Sequence, residues 1–190
     1  MNADFATQRS AMIDSQLRTV GVNEPDVLAA VAAVPRERFV PAARAALAYV
    51  DGAVALGGGR SMVEPMILGL LLTHLRIAPG EKVLIVGAAT GYSAAVVAEL
   101  TPHVTALECD GALAAHARGA GINVVEGPLA AGWAAAAPYD VLLIDGAVPA
   151  LSAALRPKFS ANGATGRSPK MVSVSFSLPA FCSLTYSGLS

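Results

Sequence analysis

The sequence predicts an α/β protein: a mostly parallel, doubly wound sheet preceded by a helical region. Three observations carry this. Val83-Leu84-Ile85-Val86 runs into a loop of small residues, Gly87-Ala88-Ala89-Thr90-Gly91, and a helical pattern follows over 93–100. A second short strand, Val104-Thr105-Ala106-Leu107, ends in Glu108. The alternation then continues through a short helix over 112–118, a strand over 122–125 and a buried strand over 139–145. Strands alternating with helices give parallel pairing with both sheet faces covered. Ligands in such sheets lie beyond the carboxyl ends of the strands, which here are Gly87, Glu108, Glu126 and Asp145.

The elements divide the chain into a helical region over 1–80, an α/β core over 81–157 and an atypical segment over 158–190. Residues 11–20 place Met12, Leu17 and Val20 on one side of a helix. Asn23-Glu24-Pro25-Asp26 is a helix start, with early acids and proline in the first turn. Val27, Leu28, Val31 and Val34 continue its apolar face up to Pro35. Pro41 opens an alanine-rich helical segment over 42–48, and Gly57-Gly58-Gly59 forms a flexible turn. Pro65 starts a helix over 66–75 apolar enough to be buried on most sides, and Ala78-Pro79-Gly80 ends it. Residues 127–138 form a loop or short helical region around Trp133, a packing residue under the sheet edge.

From residue 158 the composition changes: eight serines in 33 residues, against five in the preceding 157, and no acid after Asp145. Val172, Val174 and Phe176 alternate with serines, so residues 171–177 predict a strand, and 181–186 predict another. The shift reads either as a divergent sheet edge or as a replaced chain ending, as a frameshift would produce.

The loop spacing bears on the ligand. Gly87-x-x-x-Gly91 departs from the dinucleotide pattern G-x-G-x-x-G, because Ala89 and Tyr92 fall on its second and third glycines. It departs equally from the P-loop, which needs four residues between its glycines followed by Lys-Ser/Thr. A nicotinamide-dependent oxidoreductase is therefore disfavoured. A ligand with an adenosine and no pyrophosphate fits better, S-adenosylmethionine foremost. Small residues let backbone N–H groups approach it, and Glu108 offers acceptors to both ribose hydroxyls. The competing reading of Gly87 and Gly91 is a tight strand-to-helix turn alone.

Composition narrows the remaining classes. A net charge of −1 with scattered basic residues argues against a nucleic-acid partner. The longest strongly apolar run, residues 66–72, is far short of the ~20 residues a membrane span needs. The N-terminus lacks a basic-then-apolar signal pattern, and Cys109 and Cys182 make no disulfide framework. A cytoplasmic location is expected. His74, His103 and His116 show no metal-ligand spacing, so no metal is expected.

Several strings together carry a family resemblance. Met12-Ile13-Asp14-Ser15-Gln16-Leu17-Arg18, Val34-Pro35-Arg36-Glu37-Arg38-Phe39-Val40-Pro41 and Ala48-Tyr49-Val50-Asp51 resemble the N-terminal region of protein-L-isoaspartate O-methyltransferases. The likeness continues through Gly59-Arg60-Ser61-Met62-Val63-Glu64-Pro65, the Gly87 loop, Glu108, and Gly132-Trp133 to Asp140, covering residues 12–157. It implies a Rossmann-like fold and S-adenosylmethionine as methyl donor. It also implies damaged proteins as partners, methylated on isoaspartyl carboxylates as a repair step. Taken with the strand-end pattern, the candidate cofactor-binding residues are Gly87, Ala89, Gly91, Glu108, Gly127 and Asp145. Asp145 either faces the ligand or caps the following helix.

The chain departs from the family at three places. The family's Thr-Ile-Ser-Gln-Pro is Ser61-Met62-Val63-Glu64-Pro65, so its substrate-carboxylate serine falls on Val63 and its glutamine on Glu64. An acid two residues before the first loop glycine is Ile85, and the second loop glycine is Ala89. The family's Gly-Asp-Gly near the adenine falls on Gly127-Pro128-Leu129. Ser61 and Glu64 are the candidate catalytic residues. Ser61 is two positions from the missing hydroxyl, and Glu64 is a base for a neutral substrate or a repulsive neighbour for a carboxylate. Two carboxylates 4 Å apart repel by ~4 kcal/mol at an intermediate dielectric. These losses also leave open a degenerate member that acts as an interaction module.

Overall fold

The computed structural model describes residues 4–147, 152–155, 169–177 and 181–188. The chain opens with helix α1 (Phe5–Met12), capped by Asp4, whose carboxylate accepts the Thr7 N–H at 3.1 Å. The helix therefore starts earlier than the apolar pattern suggested, because the cap rather than periodicity sets its beginning. It continues as a wide π turn, Ile13–Leu17, and a 3-10 turn, Arg18–Val20. Helix α2 (Pro25–Ala33) begins on its proline as expected. Residues 42–47 form a 3-10 helix.

The glycine run turns out to be the bend of a small antiparallel hairpin, β1 (Val54–Gly57) and β2 (Arg60–Met62). Strands of four and three residues are too short for alternation to declare them. Helix α3 (Pro65–Leu75) follows, buried along Ile67, Leu68, Leu71, Leu72 and Leu75. The core then alternates β3 (Val83–Val86), α4 (Tyr92–Ala98), β4 (Val104–Glu108), α5 (Gly111–Gly119) and β5 (Val124–Glu126). Two 3-10 turns, Leu129–Ala131 and Ala134–Ala136, lead to β6 (Val141–Ala147). Strands β7 (Lys170–Ser177) and β8 (Phe181–Gly188) complete the described chain.

The main sheet has the order β5-β4-β3-β6-β7-β8. Strands β3 to β7 are parallel, and β8 runs antiparallel at the edge. The chain leaves β3 for β4 on one side, and β6 enters on the other. That reversal is the topological switch point, where such sheets open a crevice at the strands' carboxyl ends.

Alternation along the strands builds two cores. Val83, Ile85, Ala106, Val141, Leu143 and Val172 join the apolar faces of the helices. Leu84, Val86, Leu107, Leu142 and Ile144 face the other way, against Tyr139, Leu155, Leu129 and Trp133. The serine-rich segment thus supplies the sheet edge, with strands where the alternation places them. Lys170 fastens that edge: its ammonium donates to Glu81 Oε2 at 2.7 Å and to the Arg76 carbonyl at 2.8 Å. Residues 156–168 lie outside the described residues.

Helix α3 should tolerate truncation poorly, because Leu72 is buried among sheet and helix side chains. Leu72→Ala is expected to destabilise the fold by about 2–5 kcal/mol. Urea denaturation would show this as a lower midpoint with an unchanged slope.

Candidate active site

The loop after β3 is shaped by three left-handed residues at alternate positions: Gly87 (φ +82), Ala89 (φ +49) and Gly91 (φ +93). Both glycines also have steric reasons to be there. A Cβ on Gly87 would lie 3.3 Å from the Asp145 carbonyl oxygen, and one on Gly91 would lie 3.0 Å from Ala117 Cβ. Ala89 adopts the same conformation at a cost of roughly 1–2 kcal/mol for an L residue. Its N–H is what the turn presents, donating to Glu108 Oε2 at 2.7 Å. The Gly87 and Ala88 N–H groups both donate to the Leu107 carbonyl, and the Thr90 hydroxyl donates to the Phe39 carbonyl at 2.6 Å. The loop is therefore held from the sheet below and from the N-terminal region beside it.

Glu108, at the end of β4, is fully buried. Its Oε1 accepts from the Cys109 and Asp110 N–H groups at 2.8 and 3.0 Å. Arg60 reaches across from β2 and binds both oxygens, Nη1 to Oε1 and Nη2 to Oε2, each at 2.8 Å. Burial alone would push the carboxyl up, but Arg60 and the three backbone donors outweigh it and hold it down to about 2. Arg60 Nη2 also approaches the Gly87 carbonyl at 3.4 Å.

Across the switch point, Asp145 lies within β6 and places its carbonyl against Gly87. Burial pushes its carboxyl above the ordinary range, opposed by the Ser93 hydroxyl and the Arg36 and Arg60 guanidinium groups. Since β6 continues to Ala147, Asp145 is a strand residue at the crevice and not the terminal residue of its strand. Gly127 follows β5 and donates its N–H to the Glu108 carbonyl at 3.0 Å. The structure thus gathers Gly87, Ala89, Gly91, Glu108, Gly127 and Asp145 around the ends of β3, β4, β5 and β6.

The two candidate catalytic residues lie on other elements, the β1–β2 hairpin and the start of α3. Ser61 is exposed, on the face of β2 opposite Arg60 and Met62. Glu64 precedes α3, half-buried; its backbone carbonyl accepts the Leu68 N–H, and its carboxylate has no ion pair among the described residues.

Two arginines assemble the site without having been assigned roles from the sequence. Arg60 is one. Arg36 is the other: it is fully buried, donates Nε to the Ala48 carbonyl at 2.7 Å and Nη2 to the Val63 carbonyl at 2.6 Å. Its guanidinium stacks over the Tyr92 ring at 4.6 Å, and its Nη1 is buried without a hydrogen-bond partner among the described residues. Arg36 thereby fixes the backbone at Val63 against the start of α4. Both lie in strings that carry the family resemblance, but nothing local marks their partners, which lie 12 to 48 residues away in sequence.

A parallel sheet with a glycine loop and a buried strand-end carboxylate at its switch point defines a Rossmann-like, nucleoside-binding protein. The chain belongs to the protein-L-isoaspartate(D-aspartate) O-methyltransferase family, whose model matches residues 7–164. Protein-L-isoaspartate O-methyltransferase 1 of Rhodopseudomonas palustris is 37% identical over 166 residues, 84% of this chain and 68% of that protein. Protein-L-isoaspartate O-methyltransferase of Methylorubrum extorquens is 42% identical over 165 residues, 82% of this chain and 72% of that one.

Solved structures agree on the fold. A protein-L-isoaspartate O-methyltransferase superposes with a TM-score of 0.71 at 21% identity, covering 88% of this chain. This chain spans 55% of that protein's length. A Plasmodium falciparum protein solved with S-adenosyl-L-homocysteine superposes with a TM-score of 0.72 at 14% identity, covering 97% of this chain and 94% of that one.

The Glu108 carboxyl sits below its unfolded value of 4.5. Its contribution is full above about pH 4.5 and is lost as the pH falls towards 2, and a shift of this size is worth roughly 3 kcal/mol at neutral pH. Glu108→Gln should therefore be less stable than the wild type at pH 7. The gap should close between pH 4.5 and 2 in denaturation series.

Proposed function

We propose that this chain transfers a methyl group from S-adenosylmethionine to the abnormal carboxylate of isoaspartyl residues in damaged proteins, in the cytoplasm. The observation that carries this is Glu108, a buried ionised acceptor at the end of β4 beside the Gly87 loop. It is the group a ribose requires, in a chain of the isoaspartate methyltransferase family. The residues fit the nucleoside by their chemistry: an ionised carboxylate stands beside a loop of small residues. Glu108 would hold the ribose, with Gly127 and Asp145 bordering the same crevice. The cofactor supplies an electrophilic methyl group.

The protein's own task is then orientation. A carboxylate nucleophile with a pKa of roughly 4 is already ionised at neutral pH, so no strong base is needed. Positioning and desolvation carry the rate. Arg36 contributes by fixing the Val63 backbone, at the position where the family carries its substrate-binding serine. Loss of that one hydroxyl weakens positioning by ~1–3 kcal/mol and leaves the chemistry intact.

The test compares methyl transfer to an isoaspartyl peptide and to its normal aspartyl twin, with cofactor binding measured on the same preparation. Transfer to the isoaspartyl peptide alone is expected. Equal, near-zero rates in a protein that binds cofactor would overturn the assignment. The double change Val63→Ser, Glu64→Gln restores a hydroxyl and removes a charge, and should raise kcat/KM for the isoaspartyl peptide by about tenfold or more.

A further inference from the structure

Glu108 is saturated. A carboxylate offers about four lone-pair sites, and Glu108 already accepts five hydrogen bonds, two from Arg60 and three from the backbone of Ala89, Cys109 and Asp110. The three backbone donors belong to the loop after β3 and to the turn into α5, whose conformations are fixed by the sheet. Only Arg60 sits on a side chain that can leave. Two ribose hydroxyls on this carboxylate therefore need the positions that the Arg60 guanidinium occupies.

The hairpin that carries Arg60 is suited to releasing it. Its bend is Gly57-Gly58-Gly59, all at positive φ (+100, +57 and +74), and a Cβ on any of them would meet nothing within 4 Å. Among the described residues its two strands pair only with each other. The Arg60 side chain is already 27% exposed, so it needs only a short path to water.

Resting on the cofactor assignment above, we infer that Arg60 is an internal competitor for the cofactor's ribose: it holds Glu108 in the free protein and must withdraw for the nucleoside to bind. Arg60 is a positioning residue that sets affinity. The free protein keeps its buried carboxylate paired, and apparent affinity is lowered by the fraction of molecules in which Arg60 is still latched.

The test is calorimetric titration of the intact protein with S-adenosylhomocysteine, in wild type, Arg60→Gln and Arg60→Lys. Glutamine cannot pair ionically with Glu108, so Arg60→Gln should bind about tenfold or more tightly than wild type. Its ligand-free thermal midpoint should be lower. Lysine contacts the carboxylate at one point and should fall between the two, which keeps the test open if the glutamine variant folds poorly. Unchanged or weaker binding by both variants would overturn the inference and make Arg60 a support for Glu108. Absence of binding in all three proteins would instead remove the cofactor assignment, and the inference with it.

Discussion

A single buried carboxylate organises this molecule. Glu108 takes its backbone bonds from both ends of the crevice, from the loop after β3 and from the turn into α5, and its guanidinium partner comes from the β1–β2 hairpin. An ion buried this completely is costly unless every acceptor site is filled. The left-handed backbone at Ala89 serves that requirement, because it aims an N–H at Glu108. Both glycines of the loop are likewise explained by crowding, against Asp145 on one side and Ala117 on the other.

Arg36 does for the N-terminal region what Glu108 does for the sheet. Burial lowers its pKa, which Tyr92 and Asp145 oppose. Carbonyls at Ala48 and Val63 accept from its Nε and Nη2. Together with the Thr90–Phe39 bond, it locks the segment before α3 onto the first turn of α4. The departures from the family at Val63 and Glu64 thus occur on a backbone held in place, so their consequence is chemical at the side chains and not a rearrangement of the fold.

Much of the fold was legible in the sequence. Four-residue apolar runs bounded by Gly and Pro gave β3 and β6, proline at the first turn gave α2 and α3, and alternation with serine gave β7. These signals are local. The β1–β2 hairpin was missed because strands of three and four residues are shorter than the pattern that reveals them. Of the site, the loop and Glu108 were legible because one strand–turn–helix–strand unit contains both. Arg60 lies 48 residues from its partner. A lone basic residue after a glycine run carries no sequence signal of a long-range ion pair, so only the folded arrangement shows it.

The most direct measurement is a crystal structure of this protein with S-adenosylhomocysteine. Glu108 as ribose acceptor predicts both ribose hydroxyls within hydrogen-bond distance of its carboxylate, the three backbone bonds retained and the Arg60 guanidinium moved off. A bound nucleoside with the Arg60–Glu108 pair intact on both oxygens would contradict it.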